Sequence, residues 1–161
     1  MEQKVLIVVD MQNGFMTKPN YIALNKKIEN LIALHNYNKI YFTKFKNTKN
    51  SLYETKVNWT ELCDSQSQGF SMKLPNDAII FEKYGYGLSV NQIEELKKLN
   101  VSQIDICGLQ TDACVYAIAF QLFDCGIFPN VLINYAETSP SRKDAAKEML
   151  IHQFGSVDET K

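Results

Sequence analysis

An unbroken run of aliphatic residues, Val5–Val9, lies near the start of the chain and ends at Asp10. A run without polar and apolar alternation is typical of a strand that is covered on both faces. Such strands occur in parallel sheets that have helices packed above and below them. The run therefore favours an α/β architecture.

Short apolar runs alternate with amphipathic stretches along the rest of the chain. Further strand-like runs occur at residues 39–43, 78–81, 103–107 and 131–134. Apolar residues recur at helical spacing in residues 21–35, 90–99, 113–124 and 142–154. This order predicts a doubly wound, mostly parallel sheet with helices on both faces. The 161 residues show no internal repeat or linker, so residues 1–161 are expected to form a single domain.

Composition narrows the choice of partners and cofactors. The formal net charge of -1 gives no reason to expect binding to nucleic acid or to a membrane. The first apolar run is too short for a signal-peptide core or a membrane span, so a cytoplasmic location is expected. Four cysteines without a C-x-x-C pair, and only two histidines, argue against a zinc site and for reduced thiols. No cofactor is predicted.

Three chemically competent side chains follow three of the predicted strands. Asp10 comes directly after the first run, Lys83 follows residues 78–81, and Cys114 follows residues 103–107 after a short turn. In an open α/β sheet the ligand crevice lies beyond the carboxyl ends of the strands. We therefore expect a carboxylate, an ammonium and a thiol to meet at one edge.

These three groups form a coherent set for nucleophilic catalysis. The thiolate of Cys114 would attack, the carboxylate of Asp10 would shuttle its proton, and the ammonium of Lys83 would favour the charged sulfur. Cys114 also lies near the start of a predicted helix, with Asp112 or Thr111 as its cap. The helix amides should stabilise the thiolate and could receive an oxyanion. Singly, each residue could be structural, but their joint arrangement favours catalysis.

Three short motifs carry a family resemblance. They are VVDMQN at residues 8–13, EKY at residues 82–84 and CGLQTDAC at residues 107–114. In order and separation they resemble the isochorismatase-like cysteine hydrolases, and the resemblance covers roughly the whole chain. It implies an Asp-Lys-Cys triad at Asp10, Lys83 and Cys114, on a sheet with the strand order 3-2-1-4-5-6.

The resemblance has further implications for mechanism and assembly. It implies a cis peptide bond between Leu109 and Gln110, which would aim the amides of Gln110 and Cys114 at the substrate's oxyanion. It implies hydrolysis of the C–N bond of a small-molecule amide through a thioester on the cysteine. It also favours a homodimer or a homotetramer.

The sequence departs from the family's pattern in two places. Members that hydrolyse nicotinamide carry an Asp-x-His-x-x-x-His metal pattern after the second strand, whereas residues 42–59 contain neither Asp nor His. A metal is therefore not expected, and nicotinamide is not favoured as the substrate. Gly14 replaces an acidic residue of the first motif, but Asp10 is kept. Members that cleave the vinyl ether of isochorismate lack the nucleophilic cysteine, so Cys114 favours amide chemistry.

The segment of residues 44–74 does not fit the alternation of strands and helices. A connection of this length is usually functional or partly disordered. Aromatic residues in and near it could line an apolar substrate pocket, or could simply cover the core. The candidates are Phe15, Phe45, Trp59, Tyr84 and Tyr86. The segment has no pattern from which a particular substrate could be named.

Two other classes of protein could use the same crevice. A non-catalytic α/β module could bind a small molecule there, although residues 108–112 form neither a G-x-G-x-x-G turn nor a P-loop. A thiol redox or sensor protein could use Cys114 without hydrolysis, but it would need a resolving cysteine nearby. Cys125 lies about three turns further along the same predicted helix, too far from Cys114 to form a disulfide.

We predict that activity needs no divalent metal, because cysteine chemistry does not require one and residues 42–59 lack His and Asp. Turnover after chelation and dialysis should equal that of the untreated protein. Loss of turnover that added zinc, iron or manganese restores would contradict this prediction.

Overall fold

A computed structural model describes residues 3–159 of the chain. Within this range the strands are β1 (Val5–Val9), β2 (Lys39–Phe45), β3 (Ile79–Lys83), β4 (Gln103–Leu109) and β5 (Phe128–Glu137). They form one parallel sheet in the order β3-β2-β1-β4-β5. The first run was predicted to the residue. The next three strands continue beyond the predicted runs toward the carboxyl edge of the sheet.

Helices connect the strands. They are α1 (Pro19–Leu34), α2 (Leu52–Thr55), α3 (Ser65–Gln68), α4 (Val90–Lys97), α5 (Tyr116–Asp124) and α6 (Lys143–Phe154). The four longer helices correspond to the predicted helical stretches, while α2 and α3 are single turns within residues 44–74. None of the helices in the described range is long and apolar enough to span a membrane.

The side chains of β1 alternate between two apolar clusters, one on each face of the sheet. Val5, Ile7 and Val9 belong to the cluster that α4, α5 and α6 cover. Leu6 and Val8 belong to the cluster that α1 covers. All of these side chains are at most 2% exposed. The doubly wound α/β fold expected from the aliphatic run is therefore confirmed.

The expected strand order holds across five strands, but the edge beyond β5 differs from the expectation. No sixth strand is present in residues 3–159, and Asp158 alone forms a parallel bridge with Leu132. The amide of Asp158 donates to the carbonyl of Val131, and the amide of Ile133 donates to the carbonyl of Asp158, both at 2.9 Å. Gly155, at φ 81°, ends α6 and turns the chain toward this edge. One residue thus takes the place of the sixth strand.

Strands β1 and β4 approach each other closely at Gly108. Its φ is 113°, a conformation that L side chains rarely adopt, and a Cβ placed there would lie 2.2 Å from the carbonyl oxygen of Val9. The pairing of β4 with β5 also shifts register between Ile106 and Gly108. Glycine therefore allows the carboxyl ends of β1 and β4 to lie side by side.

We predict that Gly108→Ala lowers the free energy of unfolding far more than Gly126→Ala, measured by urea denaturation. Gly126 also has a positive φ, 79°, but an added Cβ would meet no atom within 4 Å. Its substitution should cost about 1 kcal/mol of backbone strain. At Gly108 the overlap with the main chain of β1 should add about 2 kcal/mol or more. Equal losses in the two variants would show that the close approach is unimportant.

Candidate active site

The carboxyl ends of β1, β3 and β4 bring three polar side chains together. Asp10 follows β1, Lys83 is the last residue of β3, and Cys114 lies in a π-helix, Thr111–Val115, after β4. Lys83 Nζ is 2.8 Å from Asp10 Oδ2 and 3.2 Å from Cys114 Sγ. The ammonium therefore contacts both the carboxylate and the thiol.

Asp10 is fully buried, with its backbone in the left-handed region at φ 50°. Thr43 Oγ1 donates a hydrogen bond to Asp10 Oδ1 at 2.6 Å and accepts one from the Asp10 amide at 3.0 Å. One carboxylate oxygen is thus held by a hydroxyl and the other by the ammonium of Lys83. These contacts offset the cost of burying a charge and fix the orientation of the carboxylate.

Lys83 is 3% exposed and has further partners in the loop that follows β3. Its Nζ donates to the carbonyl oxygens of Gly85 at 2.9 Å and Tyr86 at 3.3 Å. Burial by itself would lower the pKa of Lys83. The negative charge of Asp10, with a smaller contribution from Cys114, outweighs burial, and the pKa is raised. Lys83 is therefore a firmly held cation.

Cys114 lies in a compact turn, residues 110–115, which we call the cysteine turn. The amides of Ala113 and Val115, on either side of Cys114, both donate to the carbonyl of Gln110, at 3.0 and 3.2 Å. The peptide bond between Leu109 and Gln110 is cis. Helix α5 begins directly after this turn. The thiol is therefore presented at the start of a continuous helical segment.

The cap expected at Asp112 or Thr111 is not formed, because the π-helix already begins at Thr111. Gln110 takes the cap position, and no side chain caps it. Asp112 instead accepts hydrogen bonds from Thr138 Oγ1 and Arg142 Nε, each at 2.5 Å. Asp112 thus anchors the cysteine turn to the segment after β5.

The pKa of the Cys114 thiol is raised well above its ordinary value. Burial is the largest cause and the negative charge of Asp10 adds to it, whereas the ammonium of Lys83 lowers it only in part. The expectation from the sequence that the thiolate is stabilised therefore had the wrong direction, because the depth of the sulfur was not visible.

A cavity of about 200 Å³ opens onto these groups. Asp10, Gln110 and Cys114 contribute its polar side. The aromatic wall comprises five rings, those of Phe15, Phe45, Tyr53, Trp59 and Tyr86. Phe15 stacks on Trp59 with ring centroids 6.1 Å apart, and Tyr53 lies 5.8 Å from Trp59 and 5.1 Å from Tyr86. The rings therefore form a continuous apolar surface.

The sequence predicted most but not all of this lining. Four of the five predicted aromatic residues lie at the cavity, namely Phe15, Phe45, Trp59 and Tyr86. Tyr84 does not, since it turns outward after β3 and is 58% exposed. Tyr53 and Val57 were missed. Tyr53 could have been found as an aromatic residue in a polar segment. Val57 is an isolated apolar residue, and nothing in the sequence marks it as part of a cavity.

Buried Gln12 holds one side of the cavity in place. Its Oε1 accepts from the amide of Phe45, and its Nε2 donates to the carbonyls of Phe45 and Gln68, all at 2.9 Å. The carboxamide pairs with the end of β2 as a neighbouring strand would. It also attaches the segment of residues 44–74 to the turn that carries Asp10. Gln12, which belongs to the VVDMQN motif, therefore has a structural role.

The sheet order and the edge site define the chain as an isochorismatase-like α/β protein. The sequence profile of the isochorismatase domain matches residues 4–161. The chain belongs to the isochorismatase family. A search of curated proteins gives no match.

Several solved structures have the same fold. Pyrazinamidase of Pyrococcus horikoshii in complex with zinc is 22% identical, with a TM-score of 0.83 over 94% of this chain and 96% of that one. Nicotinamidase/pyrazinamidase PncA of Bacillus subtilis is 15% identical, with a TM-score of 0.82 over 96% and 98%. N-carbamoylsarcosine amidase of Thermoplasma acidophilum is 15% identical, with a TM-score of 0.76 over 96% and 94%.

The zinc in the Pyrococcus structure raises the question of whether this site fits a metal. The cavity is lined by rings, and its carboxylate, Asp10, is already engaged by Thr43 and Lys83. Across residues 3–159, no three His, Cys, Asp or Glu side chains lie close enough together to hold a metal ion. The donor set present here therefore does not fit zinc.

We predict that iodoacetamide alkylates Cys114 slowly at neutral pH, and that its rate rises through pH 9 without a plateau. The raised pKa leaves little thiolate at lower pH. Asp10→Asn removes the charge that helps to raise this pKa, so alkylation at pH 8 should be at least about tenfold faster. Mass spectrometry of the Cys114 peptide measures the rate, with exposed Cys63 as internal reference. A plateau below pH 7 would mean that a thiolate is present at rest.

Proposed function

We propose that this protein is a cysteine-dependent hydrolase of a small, uncharged amide, with Asp10, Lys83 and Cys114 as its catalytic residues. The observation that carries the proposal is the contact of one buried ammonium with both Asp10 Oδ2 and Cys114 Sγ beside a cavity with an aromatic wall. The names of the similar structures, which are amidases of three kinds, support amide chemistry.

In the first half of the reaction, Cys114 Sγ attacks the amide carbonyl carbon and its proton passes to Asp10. The carbonyl oxygen becomes an oxyanion, which the amides of Gln110 and Cys114 would receive. Collapse of the tetrahedral intermediate breaks the C–N bond as Asp10 returns the proton to the leaving nitrogen. Ammonia or an amine departs, and a thioester remains on Cys114.

In the second half, Asp10 takes a proton from water, and the hydroxide adds to the thioester carbonyl. The new tetrahedral intermediate expels sulfur, which regains the proton from Asp10. A carboxylic acid is released and the thiol is restored. The net reaction consumes one water, and no electrons are transferred to or from the protein.

Lys83 supports both halves by its position and charge. Because its ammonium stays paired with Asp10, it stabilises the carboxylate whenever the proton has left. Its contact with Cys114 Sγ favours negative charge that develops on sulfur during attack and departure. This role fits a resting thiol, since the charge on sulfur is needed only transiently.

The cavity defines the class of amide. Its wall is aromatic, which suits a flat apolar group next to the reacting carbonyl. Lys83 is the cation at the site; it is ion-paired with Asp10, and its hydrogen bonds go to Cys114 and two loop carbonyls. A substrate carboxylate would therefore lack a partner. We infer a preference for uncharged aromatic amides over ureido acids.

The alternative functions have less support. All four cysteines are free, and Cys107 lies in the apolar cluster on the sheet face opposite the one against which Cys114 packs. A redox pair with Cys114 is therefore not favoured. A binding module would not need a carboxylate and an ammonium in contact with a thiol. A homodimer or homotetramer and a cytoplasmic location stay predictions.

We predict that Cys114→Ala abolishes ammonia release. Purified protein should be screened with ureido acids and with uncharged aromatic amides, of which nicotinamide is one. On the best substrate, loss of the nucleophile should lower turnover at least about 10³-fold. Cys125→Ala is the matched control, because Cys125 does not line the cavity. Circular dichroism should show that both variants keep the fold.

Hydrolysis by the Cys114→Ala protein would refute the assignment of the nucleophile. If the parent protein binds amides in this cavity without releasing ammonia, the binding-module alternative would replace the hydrolase. A ureido acid turned over faster than every aromatic amide would refute the proposed substrate class while leaving the mechanism intact.

A further inference from the structure

Asn47 follows β2 and is 3% exposed, yet it does not line the cavity. We propose that Asn47 is a positioning residue for the aromatic wall, because its carboxamide fixes the segment that carries Tyr53 and Trp59. The role of this segment in substrate binding rests on the proposed function. The placement of Trp59 by Asn47 does not.

The side chain of Asn47 ties together points far apart in the segment that follows it. Its Nδ2 donates to the carbonyls of Trp59 and Glu61, each at 3.1 Å. Its Oδ1 accepts from Ser51 Oγ at 2.6 Å. Its backbone amide donates to the carbonyl of Leu62 at 3.0 Å. One buried residue thus joins both ends of residues 51–62.

The bond to Ser51 connects Asn47 with Tyr53. Ser51 is the N-cap of α2, and its Oγ accepts from the amide of Glu54 at 3.2 Å. A single helical turn is not stable by itself, so the orientation of α2 depends on such contacts. The amide of Trp59 also donates to the carbonyl of Tyr53 at 2.8 Å. Tyr53 and Trp59 are therefore held relative to each other and to Asn47.

The chemistry of this position requires a neutral side chain with two donors. The carbonyls of Trp59 and Glu61 both need a donor, which the NH₂ group of Asn47 supplies. Asn47→Asp keeps the size of the side chain and the acceptor for Ser51. It replaces the donors with an anionic oxygen that faces two carbonyl oxygens. The variant therefore tests the carboxamide with little change in packing.

Trp59 is the only tryptophan in the sequence, so tryptophan fluorescence reports on this residue alone. Fluorescence excited at the red edge of tryptophan absorption reports on the aromatic wall without any substrate. In Asn47→Asp, residues 51–62 should lose their attachment to residue 47. Acrylamide quenching of Trp59 should then rise at least about twofold, and its emission should shift to the red. The measurement should be made on the full chain at a temperature where circular dichroism shows both proteins folded.

Asn25 offers a matched control. Its Oδ1 accepts from Ser71 Oγ at 2.6 Å and its Nδ2 donates to the carbonyl of Ser71 at 3.1 Å, so its carboxamide also bonds a serine hydroxyl and a main-chain carbonyl, although one carbonyl rather than two. It does not line the cavity. Asn25→Asp should leave quenching of Trp59 unchanged. Equal quenching in the parent and Asn47→Asp, or equal increases in both variants, would overturn the proposal.

Kinetics test whether the placement matters for binding. On the best amide from the screen, Asn47→Asp should raise KM about tenfold or more and change kcat much less. A fall in kcat with unchanged KM would overturn the positioning role. If the parent hydrolyses no amide, the proposed function fails while the Trp59 measurement still decides the role of Asn47. If Trp59 is unmoved but the parent is active, only the inference about Asn47 fails.

Ser51→Ala covers the case in which Asn47→Asp does not fold. This substitution removes the hydrogen bond between Ser51 Oγ and Asn47 Oδ1, and it also removes the N-cap of α2. Ser51 is partly exposed. Quenching of Trp59 should then rise by a smaller factor than expected for Asn47→Asp, because the bonds from Asn47 to the segment carbonyls remain. Unchanged quenching in a folded Ser51→Ala protein would overturn the proposal.

Discussion

The ion pair between Lys83 and Asp10 is the contact on which the site depends. Both side chains are at most 1% exposed, and taking two charges out of water is costly unless each finds further partners. Asp10 has the hydroxyl of Thr43, and Lys83 has the carbonyls of Gly85 and Tyr86. The loop after β3 therefore cannot move away without leaving a buried cation short of acceptors. The same contacts that stabilise the charges place one ring of the aromatic wall.

Much of this arrangement could be predicted from the sequence because it follows from sheet topology. A strand buried on both faces has an unmistakable pattern, and Val5–Val9 was located to the residue. Parallel strands put their carboxyl ends at one edge, so Asp10, Lys83 and Cys114 had to lie near one another. The other four strands were nevertheless longer than predicted. In β2, for example, Lys44 and Phe45 continue the strand past the apolar run.

What could not be predicted depends on burial and on the fold of a polar segment. The charges near Cys114 were foreseen, but the direction of its pKa shift is set first by the depth of the sulfur. Tyr53 and Val57 lie at the cavity within residues 51–62, a segment to which Asn47 hydrogen-bonds at both ends. A single asparagine among many polar residues gives no sign in the sequence that it holds such a position.

The composition of the cavity has a consequence for how proteins of this kind diverge. Four of its apolar lining residues, Phe45, Tyr53, Val57 and Trp59, come from one short stretch that begins at the last residue of β2. The side chains proposed to react follow or end three other strands. On the proposed function, the residues for chemistry and those for substrate selection therefore lie in separate parts of the sequence. Substitutions confined to that one stretch would then change the substrate while the proposed reaction is kept.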